Sequence, residues 1–173
     1  MRPVWLITGA SRGIGAAIAV QAAEEGAALV LVARSPSLRD IGRRLTAMGA
    51  PTLIVRADIT EPGAAESLVS RAIERFGQLD VVVNNAAVHR GGRIADLTDD
   101  VVDSVLACGL TAPLRIVRAA APHLRRGGSI INIGSPVGLR GSEGDAAYGS
   151  AKAGLVGLTR VLATELASRP GSP

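Results

Sequence analysis

Aromatic residues are nearly absent from this chain of 173 residues: Trp5, Phe76 and Tyr148 are all it has. A core must then be built from Ala, Val, Leu and Ile, which suits a parallel sheet buried by helices on both faces. The same scarcity leaves no platforms for stacking bases. Cys108 is the single cysteine, which excludes a disulfide framework and a cysteine metal cluster. In its apolar helical stretch it reads as a small core residue. Lys152 is the single lysine, against eighteen arginines. The arginines are scattered, with no run longer than Arg43–Arg44 or Arg125–Arg126. The formal charge of +4 therefore reads as compositional bias and not as a nucleic-acid patch. No apolar run reaches the ~18 residues that span a bilayer, and the opening MRPVWLITGA lacks a signal-peptide pattern. The expectation is a cytoplasmic protein with no metal, no membrane contact and no nucleic-acid partner.

What is present is a regular alternation. With 47% hydrophobic and 20% charged residues, the chain is expected to fold as one domain over residues 1–173. Strand patterns cover 4–8, 28–33, 52–57, 79–84 and 129–133. Helical patterns cover 13–25, 38–48 and 61–76, stopped by Gly26, Gly49 and Gly77. A longer helical stretch runs from Thr98 to about Arg126 with a break near Gly109, and a last helix covers 147–167. Strands joined by helical crossovers predict an α/β fold: a Rossmann-type, doubly wound parallel sheet in three α/β/α layers, with about five strands.

The first strand runs into Thr8-Gly9-Ala10-Ser11-Arg12-Gly13-Ile14-Gly15. Glycines at this spacing permit a tight turn and let backbone N–H groups approach a pyrophosphate at a helix N-terminus. Nineteen residues beyond Gly15, the second strand ends at Ala33-Arg34, where a residue that reads the cofactor ribose belongs. An acid there accepts from the 2′-hydroxyl of NAD. Arg34, with Arg12 in the turn, instead suits a 2′-phosphate; two solvated surface arginines are the plainer reading. The third strand ends at Asp58-Ile59, on the sheet edge where ligands bind. Asp58 is placed to accept from an adenine amino group or to cap the helix that follows.

Tyr148 and Lys152 lie four apart at the start of the last helix, hence on one face. A phenol has a reference pKa of about 10, and a neighbouring ammonium favours the phenolate and brings it toward neutral acid–base work. An ordinary i, i+4 surface pair is the alternative. Ser135, just after the fifth strand, is placed to donate to a carbonyl oxygen.

The first-corner glycines, Asn84-Asn85-Ala86, Ser135 and Tyr148-x-x-x-Lys152, in this order and spacing, resemble the short-chain dehydrogenase/reductase family. The resemblance runs to about Leu166. It implies hydride transfer between a carbonyl and an alcohol, with Tyr148 as acid–base, Ser135 as carbonyl stabiliser and Lys152 as modulator and nicotinamide-ribose ligand. Asn85 and Ala86 would line the adenosine side. The arginines imply NADP(H) as the preferred cofactor, with NAD(H) as the lesser one. The substrate would be a small carbonyl or alcohol, and the protein a homo-oligomer. The stripe Ala151, Leu155, Leu158, Leu162 and Leu166 must cover the sheet or a second chain.

Three departures from the family pattern stand out. Ala87 replaces a glycine, and its methyl is expected to crowd the turn. Gly109 takes the place of a helix asparagine in the proton relay. The family's sixth strand, its Pro-Gly loop and its seventh strand have no counterpart in Arg169–Pro173. A fragment, a frameshifted product and a natural short form all fit this last departure, and each predicts an edge at the fifth strand. The alternative to an active enzyme is an impaired member that only binds dinucleotide or a partner chain.

Overall fold

A computed structural model describes residues 2–167 of the chain. Five strands form one parallel sheet: β1 (Val4–Thr8), β2 (Ala28–Ala33), β3 (Thr52–Arg56), β4 (Leu79–Asn84) and β5 (Leu124–Asn132), in the order β3-β2-β1-β4-β5. The order reverses between β1 and β4. That opens a crevice above their carboxyl ends, the usual ligand position in such sheets.

Alternation along the strands feeds two cores. Val4, Leu6, Val30 and Val32 face one side, packed with Leu68 and Ala72 of α3 (Ala64–Phe76) and Ala112 and Ile116 of α5 (Ala112–Ala120). Ile7, Leu29, Leu31 and Val83 face the other, against Ala19 and Ala22 of α1 (Gly13–Glu24) and Leu45 of α2 (Leu38–Ala47). The predicted three layers are thus present. A third cluster joins Val105 of α4 (Asp99–Leu106) to Ala147 and Ala151 of α7 (Ala146–Ala167).

The structure differs from the sequence reading at three main places and gives a fourth its form. The third helix begins at Ala64 and not Glu61, because Gly63 sits at φ +76°, a left-handed conformation no helix continues through. The long helix ends at Ala120 and not Arg126: Pro122 lacks the N–H a helix needs, and Ala121–His123 form a tight 3₁₀ turn. β5 therefore starts early, at Leu124, and carries a bulge: Leu79 pairs with Leu124, but Val81 pairs with Ser129. The expected break at Gly109 is a π-helical turn over Ala107–Thr111, in which Ala112 donates to Ala107 O. Pro113 follows, and the wider turn accommodates a ring that would otherwise clash with the carbonyl four residues back.

Among the described residues β5 pairs on one side only, with β4, as expected of an edge. A short helix α6 (Val137–Arg140) links it to α7. Of the stripe along α7, Ala151 and Leu155 are buried, whereas Leu158, Leu162 and Leu166 are half-buried. The tail from Ser168 to Pro173 lies outside the described residues.

Candidate active site

The β1–α1 corner is clamped onto the end of β4. Thr8 Oγ1 donates to Val83 O at 3.2 Å and accepts from the backbone N–H groups of Asn85 and Ala86 at 3.0 and 3.1 Å. Asn85 Nδ2 donates to Thr8 O at 2.9 Å and Gly9 O at 3.3 Å. Gly9 and Gly15 make this approach possible. A Cβ on Gly9 would stand 2.7 Å from Asn85 Nδ2, and one on Gly15 would stand 2.5 Å from it. Thr8 was not among the predicted site residues, although it opens the motif.

Above this corner lies a cavity of about 780 Å³. Gly9, Ser11, Arg12, Gly13 and Ile14 line it from the first turn; Arg34, Asp58, Ile59, Asn85 and Ala86 line it from the other strand ends. Gly15 lies beneath, buried against Asn85. Ser35 and Ser37, absent from the sequence reading, join Arg34 on the wall; their hydroxyls are 2.7 Å apart. Cys108 also reaches the wall, and burial pushes its thiol pKa up. That fits an inert small residue better than a nucleophile.

Arg34 and Asp58 meet each other in this state: Arg34 Nη1 donates to Asp58 Oδ2 at 3.1 Å. Asp58 Oδ1 accepts from the N–H and hydroxyl of Thr60 at 3.0 and 2.7 Å. Burial raises the Asp58 pKa, but the Thr60 and Arg34 hydrogen bonds outweigh it, and the carboxyl titrates below its ordinary value. Asp58 thus does not cap the following helix, whose N-cap is Gly63; it holds the turn at Thr60, ahead of the later helix start. The guanidinium is 66% exposed and keeps further N–H donors for a ligand.

Ser135, Tyr148 and Lys152 do not line this cavity and sit on the α6–α7 side. Lys152 is 2% exposed. Its Nζ donates to Ile133 O at 2.6 Å and stands 5.7 Å from the centroid of the half-buried Tyr148 ring. Burial lowers its pKa. Ser135 Oγ accepts from Val137 N at 3.3 Å, fixing the first turn of α6. Gly138 lets α6 press on α7: a Cβ there would come within 2.7 Å of the Lys152–Ala153 backbone. His89, also missed in the sequence, packs edge-to-face on Tyr148 with centroids 4.8 Å apart.

The two local departures resolve differently. Ala87 needs no left-handed backbone, since no non-glycine among the described residues has a positive φ. Gly109 is closed in: a Cβ on it would lie 2.9 Å from that of Ala151. Among the described residues there is no cluster of metal-ligating side chains, and no helix long and apolar enough to cross a membrane.

Residues 3–170 match the short chain dehydrogenase family model. The 3-oxoacyl-acyl-carrier-protein reductase FabG of Staphylococcus aureus is 35% identical over 168 residues, covering 95% of this chain and 68% of the relative. The FabG of Salmonella typhimurium is 38% identical over 167 residues, covering 95% and 67%. A short chain dehydrogenase from Burkholderia cenocepacia, solved in complex with NADP, superposes with a TM-score of 0.93 at 37% identity, over 99% of this chain and 70% of that one. A blue fluorescent protein from a metagenomic library, solved with NADPH, gives 0.92 at 34% identity, over 96% and 70%. This chain belongs to the short chain dehydrogenase family of oxidoreductases.

Proposed function

We propose that the chain is an NADP(H)-dependent oxidoreductase that interconverts a small carbonyl compound and its alcohol at Ser135, Tyr148 and Lys152. The observation that carries this reading is Lys152. A lysine 2% exposed, on the face of α7 that bears Tyr148 and beside the end of β5, is costly to bury unless it serves a site. The cavity suits a dinucleotide: it lies over the glycine corner at the switch point of the sheet, with the start of α1 beneath. NADP is favoured over NAD by Arg12 and Arg34, joined by the hydroxyls of Ser35 and Ser37. Relatives solved with NADPH and with NADP support that preference; another, from Burkholderia phymatum, was solved with NAD.

Held over the glycine corner, a nicotinamide cofactor would supply the hydride for the carbonyl carbon. The Ser135 hydroxyl donates to the carbonyl oxygen and steadies the charge that gathers on it. The Tyr148 phenol passes its proton to that oxygen and completes the alcohol. The Lys152 ammonium stabilises the phenolate left behind. In oxidation the same groups work in reverse.

Replacing Tyr148 by Phe is expected to lower kcat by at least 100-fold, the low end of acid–base contributions, while NADP(H) binding stays within about twofold. Lys152→Ala should weaken both. The reading falls if Tyr148→Phe keeps turnover within a few-fold of the parent across a ketone panel. A second reading, dinucleotide binding with little or no turnover, is favoured by Gly109, which offers no amide to carry protons away from Lys152. Retained NADP(H) binding without turnover in the parent would select it. The chain is also proposed to act as a homo-oligomer. Leu114 on α5 and Val161 on α7 are exposed by 46% and 52%, and a monomer by light scattering at micromolar concentration would refute the pairing. A cytoplasmic location accords with the single unpaired cysteine.

A further inference from the structure

His89 follows β4 and Asp145 immediately precedes α7. Their side chains meet, 56 residues apart in sequence, with Nε2 and Oδ1 2.6 Å from each other. An Asp just ahead of a helix ordinarily turns its carboxylate onto the free N–H groups of the first turn. This one is turned to His89 and caps no N–H among the described residues. The carboxylate end of the pair is sheltered, at 16% exposure, and the imidazole end is open, at 60%. His89 Nδ1 has no partner among the described residues. The imidazole stands against the Tyr148 ring at 86° between planes, so a carboxylate, an imidazole and the phenol form one connected row. The two loops are also joined through backbone alone: Gly92 N donates to Gly144 O at 2.8 Å. Removing the side-chain pair therefore leaves the loops attached.

We propose that His89, anchored by Asp145, is a positioning residue that holds the Tyr148 ring and walls the space beside its hydroxyl where the substrate carbonyl enters. The inference rests on Tyr148 being the proton donor. A half-buried phenol in the first turn of a helix has freedom about its side-chain torsions. An edge-to-face neighbour fixed at its far end removes much of it. Proton transfer is sensitive to such placement, since shifts near 1 Å cost on the order of a hundredfold in rate.

His89→Ala is expected to lower kcat about tenfold or more while KM for NADP(H) stays within about twofold, because the row does not line the dinucleotide cavity. Asp145→Ala should reproduce that loss. Asp145→Asn, which keeps an oxygen to accept from the imidazole, should recover most of kcat. The double variant His89→Ala/Asp145→Ala should be no slower than His89→Ala alone, because the two act as one unit. A readout independent of turnover is available, because Tyr148 is the only tyrosine and His123 the only other histidine. The Tyr148 ring protons should shift in both alanine variants and stay near parent values in Asp145→Asn. The inference is overturned by unchanged Tyr148 signals in His89→Ala, by Asp145→Asn as slow as Asp145→Ala, or by His89→Ala turning over like the parent beside an inactive Tyr148→Phe. An active Tyr148→Phe would instead remove the proton-donor reading, and this inference with it. If the parent turns over no carbonyl tested, the ring signals alone decide whether the row holds Tyr148.

Discussion

The glycine corner and the seam that carries Tyr148 and Lys152 are built in different ways. At the corner, two polar side chains grip main chain: Thr8 Oγ1 and Asn85 Nδ2 between them make five hydrogen bonds to backbone groups of β1, the glycine turn and the end of β4. Nothing larger than hydrogen fits at Gly9 or Gly15. At the seam, where α6, α7 and the π turn meet the end of β5, small side chains do the packing. The polar anchors are fewer: Lys152 to Ile133 O, Asn132 to Thr159, and Ser135 to Val137. The corner is set by close main-chain approach and by side chains bonded to it. The placement of the seam's side chains depends on contacts between segments far apart in sequence.

The comparison breaks most plainly at Gly15. Gly15→Ala puts a methyl 2.5 Å from both Asn85 Nδ2 and Gly9 O, and backbone cannot yield there without opening the turn. NADP(H) affinity should fall by about 100-fold or more, as lost charge-assisted N–H contacts to a pyrophosphate would cause. Isothermal titration checks it. Affinity within threefold of the parent would mean that the corner is as adaptable as the seam.

The seam's counterpart is Gly109. Gly109→Asn restores the amide but drives it into Ala151, an overpacking that costs about 1–3 kcal/mol in a well-packed region. Ala151→Gly removes the methyl that a Cβ at position 109 would meet. The double variant should therefore regain at least half of the lost stability in urea unfolding. Independent, additive losses would show that the contact is not what keeps position 109 small.

This contrast also explains what the sequence made legible. The corner is readable because its requirements are local: eight consecutive residues carry the glycines, spacing leads to Arg34, and the end of the third strand leads to Asp58. Tyr148 and Lys152 were readable because helical periodicity sets their common face. The His89–Asp145 contact joins two loops 56 residues apart, and neither loop carries a periodic pattern. Gly138 carries no local signal: what presses on it is α7, from outside its own segment. The early start of β5 escaped for a related reason. Ala112 to Arg126 is helical in composition, and Pro122 was not weighed as a stop.

Within the corner, Arg34 is expected to separate cofactor choice from cofactor binding. Its pair with Asp58 leaves the guanidinium 66% exposed, so the pair itself adds little stability. A 2′-phosphate would gain a charge-assisted contact worth about 1.5–3 kcal/mol. Arg34→Ala should weaken NADP(H) about tenfold or more and NAD(H) by less than about twofold, measured side by side by fluorescence titration. Equal losses for the two cofactors would place Arg34 in the architecture of the corner and not in its recognition of phosphate.

The smallest effect concerns acid and base. Thr60 and Arg34 hold the Asp58 carboxyl below its ordinary pKa of 3.8, despite burial. A carboxylate depressed in the fold contributes stability that is present above the unfolded value and lost as pH falls through the folded one. Asp58→Asn keeps an oxygen for the Thr60 contacts and removes only the charge. At pH 7 it should destabilise by at most about 1 kcal/mol, and the difference from the parent should vanish as the parent carboxyl protonates below about pH 4. At the seam the slope has the same sign but lies at the alkaline end of the range. Burial lowers the Lys152 pKa from 10.5, so between the folded and unfolded values the unfolded chain binds more protons and stability rises with pH. Lys152→Met lacks that slope. Urea midpoints for the parent and both variants from pH 3 to 10 should therefore diverge at opposite ends of the range. An Asp58→Asn deficit that grows on acidification would show that the corner does not hold Asp58 in its charged form.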